Sequence, residues 1–106
     1  MSDILNRLAE TIAARRGADP KTSHTAKMLA KGPAKCAEKF GEEAIEAIIE
    51  AARGDREALT SEAADVLYHL LVMLAASDVT LDQVLAELER REGTSGIAEK
   101  ASRPKG

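Results

Sequence analysis

Two pairs of acidic residues at helical spacing are the side chains of this chain best suited to chemistry. The string EKFGEEAIEAIIE places Glu42, Glu43 and Glu46 within little more than one turn, so Glu43 and Glu46, at i and i+3, share a helix face. SEAADVLYH repeats the spacing with Glu62 and Asp65. Like charges at that spacing repel by about 0.2–0.5 kcal/mol per pair on an exposed helix, and a divalent cation between them reverses the sign. Glu62 and Asp65 stand among Ala63, Ala64, Val66 and Leu67, and acidic residues seldom enter such surroundings without partners. A set of carboxylate oxygens suits Mg²⁺, which keeps several waters and binds through carboxylates together with substrate phosphates. The chemistry implied is phosphoanhydride hydrolysis, in which metal ions neutralise phosphate oxygens and acidify a bound water while a spare carboxylate takes the proton. Glu42 is the candidate for that spare group. The competing reading is an ordinary solvated helix face with no function.

His69 follows Asp65 by four residues and lies on the same face, which makes it a candidate ligand or substrate contact. The alternative is an imidazole satisfied by Asp65 or by a backbone carbonyl. Tyr68 and Phe40 read as core or interface fillers, and no neighbour is an evident partner for His24. Cys36, the only cysteine, is flanked by small residues at Ala34 and Ala37 and reads as an inert helix-packing residue.

The elements that must position these groups are helical. Ile4, Leu5, Leu8 and Ile12 behind Ser2 and Asp3 predict a capped amphipathic helix to about Arg16, ended by Gly17. After the turn region GADPKTSH, Thr22 or Ser23 starts a short helix through Met28 and Leu29, which Gly32 and Pro33 interrupt. Pro33 suits a first helical turn, only Gly41 opposes helix from Ala34 to Arg53, and Gly54 is placed to stop it. Asp55 caps the next segment, REALTSEAADVLYHLLVMLAAS, whose wide apolar face makes it the central helix. Thr80 and Gln83 form a capping-box pattern ahead of Leu81, Val84, Leu85 and Leu88. Fifteen residues containing the Gly54 and Asp55 turn separate Glu46 from Glu62, so the two long helices can pair as a hairpin. At ~1.5 Å rise per residue both acidic pairs lie about 10 Å from that turn and can face each other.

No strand alternation or repeat is visible. The expected fold is all-α, a bundle of about four to five helices over residues 1–91, followed by a basic tail over 92–106. A composition 44% apolar but only 2% aromatic is that of helix formers, and 106 residues leave one small domain that gains by self-association. A charge of −3 with few aromatics argues against a nucleic-acid partner. The longest apolar run, Leu70 to Ala76, is too short to span a bilayer, and MSDILNRLAE is not a targeting peptide, so no membrane partner and a cytoplasmic location are expected.

The pattern Glu43-x-x-Glu46 followed by Glu62-x-x-Asp65 resembles the signature of the all-α nucleoside triphosphate pyrophosphohydrolases, which include MazG proteins and dimeric dUTPases. Within that superfamily KCAEKFGEEAIEAIIEAARGD, EAADVLYHLLVMLA and ELERREGTSGIAEKASR are similar to the phosphoribosyl-ATP pyrophosphatase family, over about Ile4 to Arg103. The resemblance implies a Mg²⁺-dependent hydrolase of phosphoribosyl-ATP in histidine biosynthesis, acting as a homodimer or higher homo-oligomer. It also implies Glu43, Glu46, Glu62 and Asp65 as metal ligands, Lys35 and Lys39 as phosphate contacts beside the motif, and Lys100 and Arg103 as phosphate-holding residues of an ordered tail. Related sequences often carry an aromatic where this chain has His24, so a stacking role there would pass to an imidazole. A MazG-type pyrophosphohydrolase of ordinary nucleotides and a catalytically silent helical scaffold are the alternatives.

Overall fold

Pro33, Gly54, Asp55 and Thr80 punctuate the chain where helices begin and end. In the computed structural model, which describes residues 3–92, they bound a bundle of five helices. These are α1 (Ile4–Ala14), α2 (His24–Lys31), α3 (Pro33–Arg53), α4 (Arg56–Ala76) and α5 (Leu81–Arg91), with no strand among the described residues. The tail bearing Lys100 and Arg103 lies outside the described residues.

The local chemistry of the boundaries is visible in their hydrogen bonds. Ser23 Oγ accepts from the Ala26 N–H at 3.1 Å and Asp55 Oδ1 from the Ala58 N–H at 3.0 Å, each satisfying a donor that helix geometry orphans. Thr80 and Gln83 form the reciprocal capping box, at 2.8 and 3.1 Å. Pro33 opens α3 with its fixed φ, and Gly54 closes it at φ +76°, a left-handed conformation that a residue with a Cβ enters only at a cost. At α1, Asp3 makes no capping bond and Ser2, the other candidate, falls outside the described residues; the helix stops at Ala14, two residues short of the expected end, and the turn that follows contains Gly17 at φ +81°. Arg15 and Arg16 belong to a turn, from which Arg16 reaches across to donate to the Ala75 carbonyl at 2.9 Å and to pair with Asp78 at 3.0 Å.

The Gly54–Asp55 link folds α4 back along α3, and this hairpin is the main packing interface of the molecule. α1 packs on α4, and α2 packs on both helices of the hairpin. The core is small: Ile12, Met28, Cys36, Leu71, Val72 and Ala76 are buried, with Leu5, Leu8, Leu29, Tyr68 and Leu74 packed around them. α4 is long and apolar enough, by length and composition alone, to cross a membrane. Its charged first half and its place at the centre of the bundle are those of a core helix, since Glu62 and Asp65 gather with Glu43 of α3. Cys36 fills the packing role expected of it: the side chain is buried and Sγ donates to the Met28 carbonyl at 3.2 Å. Burial pushes its thiol pKa up, which keeps it protonated and unreactive.

Candidate metal centre

Because α3 and α4 run back along one another, their acidic faces meet. Glu43, Glu62 and Asp65 each offer an oxygen, and the three atoms lie within 4.8 Å of one another. Glu46, the fourth expected ligand, is not among these converging oxygens; it lies exposed beside them and interacts electrostatically with Glu43 and Glu62. The cluster grades from buried to open: Glu43 is 8% exposed, Glu62 is half-buried, and Glu46 and Asp65 face solvent. Glu62 Oε2 is buried with no hydrogen-bond partner.

The electrostatics show a surplus of negative charge. Hydrogen bonding and charge from Glu43, then from Glu62, push the Glu46 carboxyl above its ordinary pKa. Burial pulls the Glu43 pKa upward, but Lys39 and the hydrogen bond from Glu46 outweigh it and hold the group below the usual value. Lys39 Nζ stands 3.3 Å from Glu43 Oε1 and 3.6 Å from Glu42 Oε2, and its own pKa is raised, first by the bond to Glu43. One lysine beside three converging carboxylates and a fourth that interacts with them, with one buried oxygen unsatisfied, is a donor set that fits a hard divalent cation.

Around this group the other expected residues divide. Lys39 reaches the cluster, and Glu42 stands beside it, exposed and paired with Lys39. Lys35, roughly two turns before Glu43, instead pairs with Glu38 at 3.2 Å on an exposed face. His69 is 6% exposed, and its pKa is lowered by burial, with the charges of Glu43, Lys39, His24 and Asp65 all acting on it. The bland reading of this ring, satisfaction by Asp65 or a carbonyl, is not what forms at Nδ1, which is buried without a partner. Its edge-to-face partner is the Tyr68 ring, at 4.9 Å between centroids and 78° between planes.

Two features escaped the sequence reading. Glu50 extends the acidic ridge of α3 by one more turn, with Oε1 buried and 3.6 Å from Arg53; its signal was the i+4 spacing from Glu46. Tyr68, taken as a filler, shares a short hydrogen bond with Thr25 of α2, a pairing 43 residues apart that no local pattern announces. A cleft of about 800 Å³ also opens among α1, the end of α4 and the start of α5, lined by Arg7, Arg16, Leu74, Asp78 and Leu81. Its carboxylates, Asp3, Glu10, Asp78 and Asp82, do not converge as those of α3 and α4 do among the described residues.

Sequence comparison gives the family. Residues 5–92 match the family described as phosphoribosyl-ATP pyrophosphohydrolase. The phosphoribosyl-ATP pyrophosphatase of Cereibacter sphaeroides is 78% identical over 100 residues, covering 94% of this chain and 97% of that protein. Those of Dinoroseobacter shibae and Ruegeria pomeroyi are 79% identical over 100 residues and 76% identical over 103, covering 94% and 97% of this chain and 98% of each relative. With its two-helix carboxylate cluster and this nearly end-to-end similarity, the chain belongs to the phosphoribosyl-ATP pyrophosphohydrolase family.

Proposed function

We propose that this chain hydrolyses phosphoribosyl-ATP to phosphoribosyl-AMP and pyrophosphate, the second step of histidine biosynthesis. The observation that carries the reading is the convergence of Glu43, Glu62 and Asp65 within 4.8 Å, with Glu46 in contact with two of them. The near-full-length relatives, each named phosphoribosyl-ATP pyrophosphatase, supply the substrate.

Glu43, Glu46, Glu62 and Asp65 hold Mg²⁺ in this reading. When bound, the ion offsets phosphate charge and makes a coordinated water more acidic. Lys39, already at the cluster, meets a phosphate oxygen as a point charge. Glu42 is the exposed carboxylate beside the ligands and accepts the proton of the attacking water. His69 presents a buried, neutral imidazole to the substrate, and Lys35, Lys100 and Arg103 supply further positive charge to its phosphates. The partner is a small molecule and, by the same reading, a second copy of the chain. Ile45, Ile48 and Ile49 form one exposed stripe on the side of α3 opposite Glu43, at 58%, 66% and 49% exposure. An aliphatic stripe of that kind on so small a domain is the surface a helical dimer buries.

Pyrophosphate release by the purified protein tests the activity, with phosphoribosyl-ATP as substrate, ATP and dUTP as controls, and Mg²⁺ compared with EDTA. Mg²⁺-dependent release from phosphoribosyl-ATP alone is expected. Release from the ordinary nucleotides moves the chain to the MazG-type activity, and no release from any of them leaves a scaffold.

A further inference from the structure

Tyr68 stands on α4 immediately before His69 and does two things at once. Its ring meets the His69 imidazole edge to face, and its hydroxyl shares a hydrogen bond with Thr25 Oγ1, on the second residue of α2. α2 is also held by buried Ala26, next to Thr25 in the same turn, and further along by Met28 and the Cys36 thiol on its carbonyl. The hydroxyl pair adds the polar tie between this first turn and α4.

Tyr68 follows Asp65 by three residues and shares its face of α4, so the tie stands beside the carboxylate cluster. His69, buried with Nδ1 unpartnered, feels the charges of Glu43, His24 and Asp65. Helix geometry leaves the first N–H groups of α2 without intrahelical acceptors, and Ser23 takes up only those of Ala26 and Lys27. The remaining donors and the positive end of the helix favour an anion. Lys21, His24 and Lys27 line a cleft of about 550 Å³ at this end of α2.

We propose that Tyr68 is a positioning residue for substrate: by holding both the His69 ring and the first turn of α2, it sets the wall of the site that meets the anionic chain of the nucleotide. The proposal rests on the hydrolase reading above. Loss of the hydroxyl loosens one turn of α2 while leaving the carboxylates and the α3–α4 hairpin in place, because none of those contacts passes through it.

The test compares Tyr68→Phe, Thr25→Val and Thr25→Ser with the wild-type protein, reading KM and kcat for phosphoribosyl-ATP and the Kd of pyrophosphate in Mg²⁺. Tyr68→Phe and Thr25→Val are expected to raise KM and the pyrophosphate Kd about fivefold, the weight of one hydrogen bond, with kcat within about twofold of wild type. Half-saturation by Mg²⁺ stays unchanged, and Thr25→Ser, which keeps the hydroxyl, retains wild-type constants. Unchanged KM and Kd in Tyr68→Phe overturn the proposal, as does a Thr25→Ser variant as impaired as Thr25→Val. If the wild-type protein releases no pyrophosphate, the hydrolase reading fails; the pyrophosphate Kd still decides the role of Tyr68.

Discussion

At Glu62 the cost of the site to the fold and its use to the reaction fall on one side chain. One oxygen is buried without a partner, and the neighbouring oxygens belong to Glu43 and Asp65 within 4.8 Å, so the carboxylate is held among like charges. Glu62→Gln keeps the volume and removes the charge. Turnover should fall by about 100-fold or more, because a ligand is lost where even outer partners of a metal cost 10–100-fold. The helical circular dichroism should be unchanged, and the melting temperature without metal equal to or above wild type. Near wild-type turnover would remove Glu62 from the ligand set. In the wild-type protein Mg²⁺ at about 100 times its Kd should add about 2.7 kcal/mol of stability, reversed by EDTA and largely missing from Glu62→Gln. Cys36 supplies a pH signature away from the site. Burial raises its folded-state pKa above the ordinary 9.0, so its contribution to stability is complete below pH 9.0 and is lost as pH rises through the raised value. Melting curves above that pH should fall more steeply for wild type than for Cys36→Ala; parallel curves would mean the thiol titrates alike in both states.

The helices carry a second set of consequences, beginning with the two glycines of α3. Gly54 closes the helix at φ +76° with nothing within 4 Å of the place a Cβ would occupy, so Gly54→Ala suffers from backbone conformation alone. A cost of about 1 kcal/mol is expected, a fall of about 4–8 °C in melting temperature. Gly41 sits inside the same helix, also with open space around it, and Gly41→Ala should stabilise by about 0.5–1 kcal/mol. Thermal melts of the pair should move in opposite directions; movement in the same direction would show that the conformational argument is wrong at one of them. The same local logic explains what was legible beforehand. Pro33, Gly54, Asp55 and the Thr80–Gln83 box act within one turn, so α3, α4 and the start of α5 could be placed from sequence, and with them the facing carboxylates. The end of α1 could not, because Arg15 and Arg16 are good helix formers and what draws Arg16 out is the Ala75 carbonyl and Asp78 at the far end of α4. Nor could the orphaned Nδ1 of His69, or the Tyr68–Thr25 bond, which is made by the docking of α2 on α4.

Taken whole, the molecule is divided between a core too small for its apolar content and a surface that carries the excess. Only three side chains among the described residues, Ile12, Val72 and Cys36, are fully buried, while Ile45, Ile48, Ile49 and Leu88 are all about half exposed or more. α5 has no buried residue at all. Water contact at such a stripe forfeits about 25 cal/mol for each Å² of apolar surface, and a second copy recovers it without any further fold. The isoleucines lie on the side of α3 opposite Glu43, with Ile49 three residues after Glu46 and seven after Glu42, so association through them leaves Glu43 clear and runs along the exposed edge of the acid cluster. Ile48→Glu, at the most exposed of the three, should therefore halve the mass seen by light scattering and remove the rise of melting temperature with protein concentration that a dimer shows. A variant of unchanged mass would place the interface elsewhere on the bundle. A monomer that still binds Mg²⁺ but releases no pyrophosphate would show that the second copy contributes to the reaction as well as to burial.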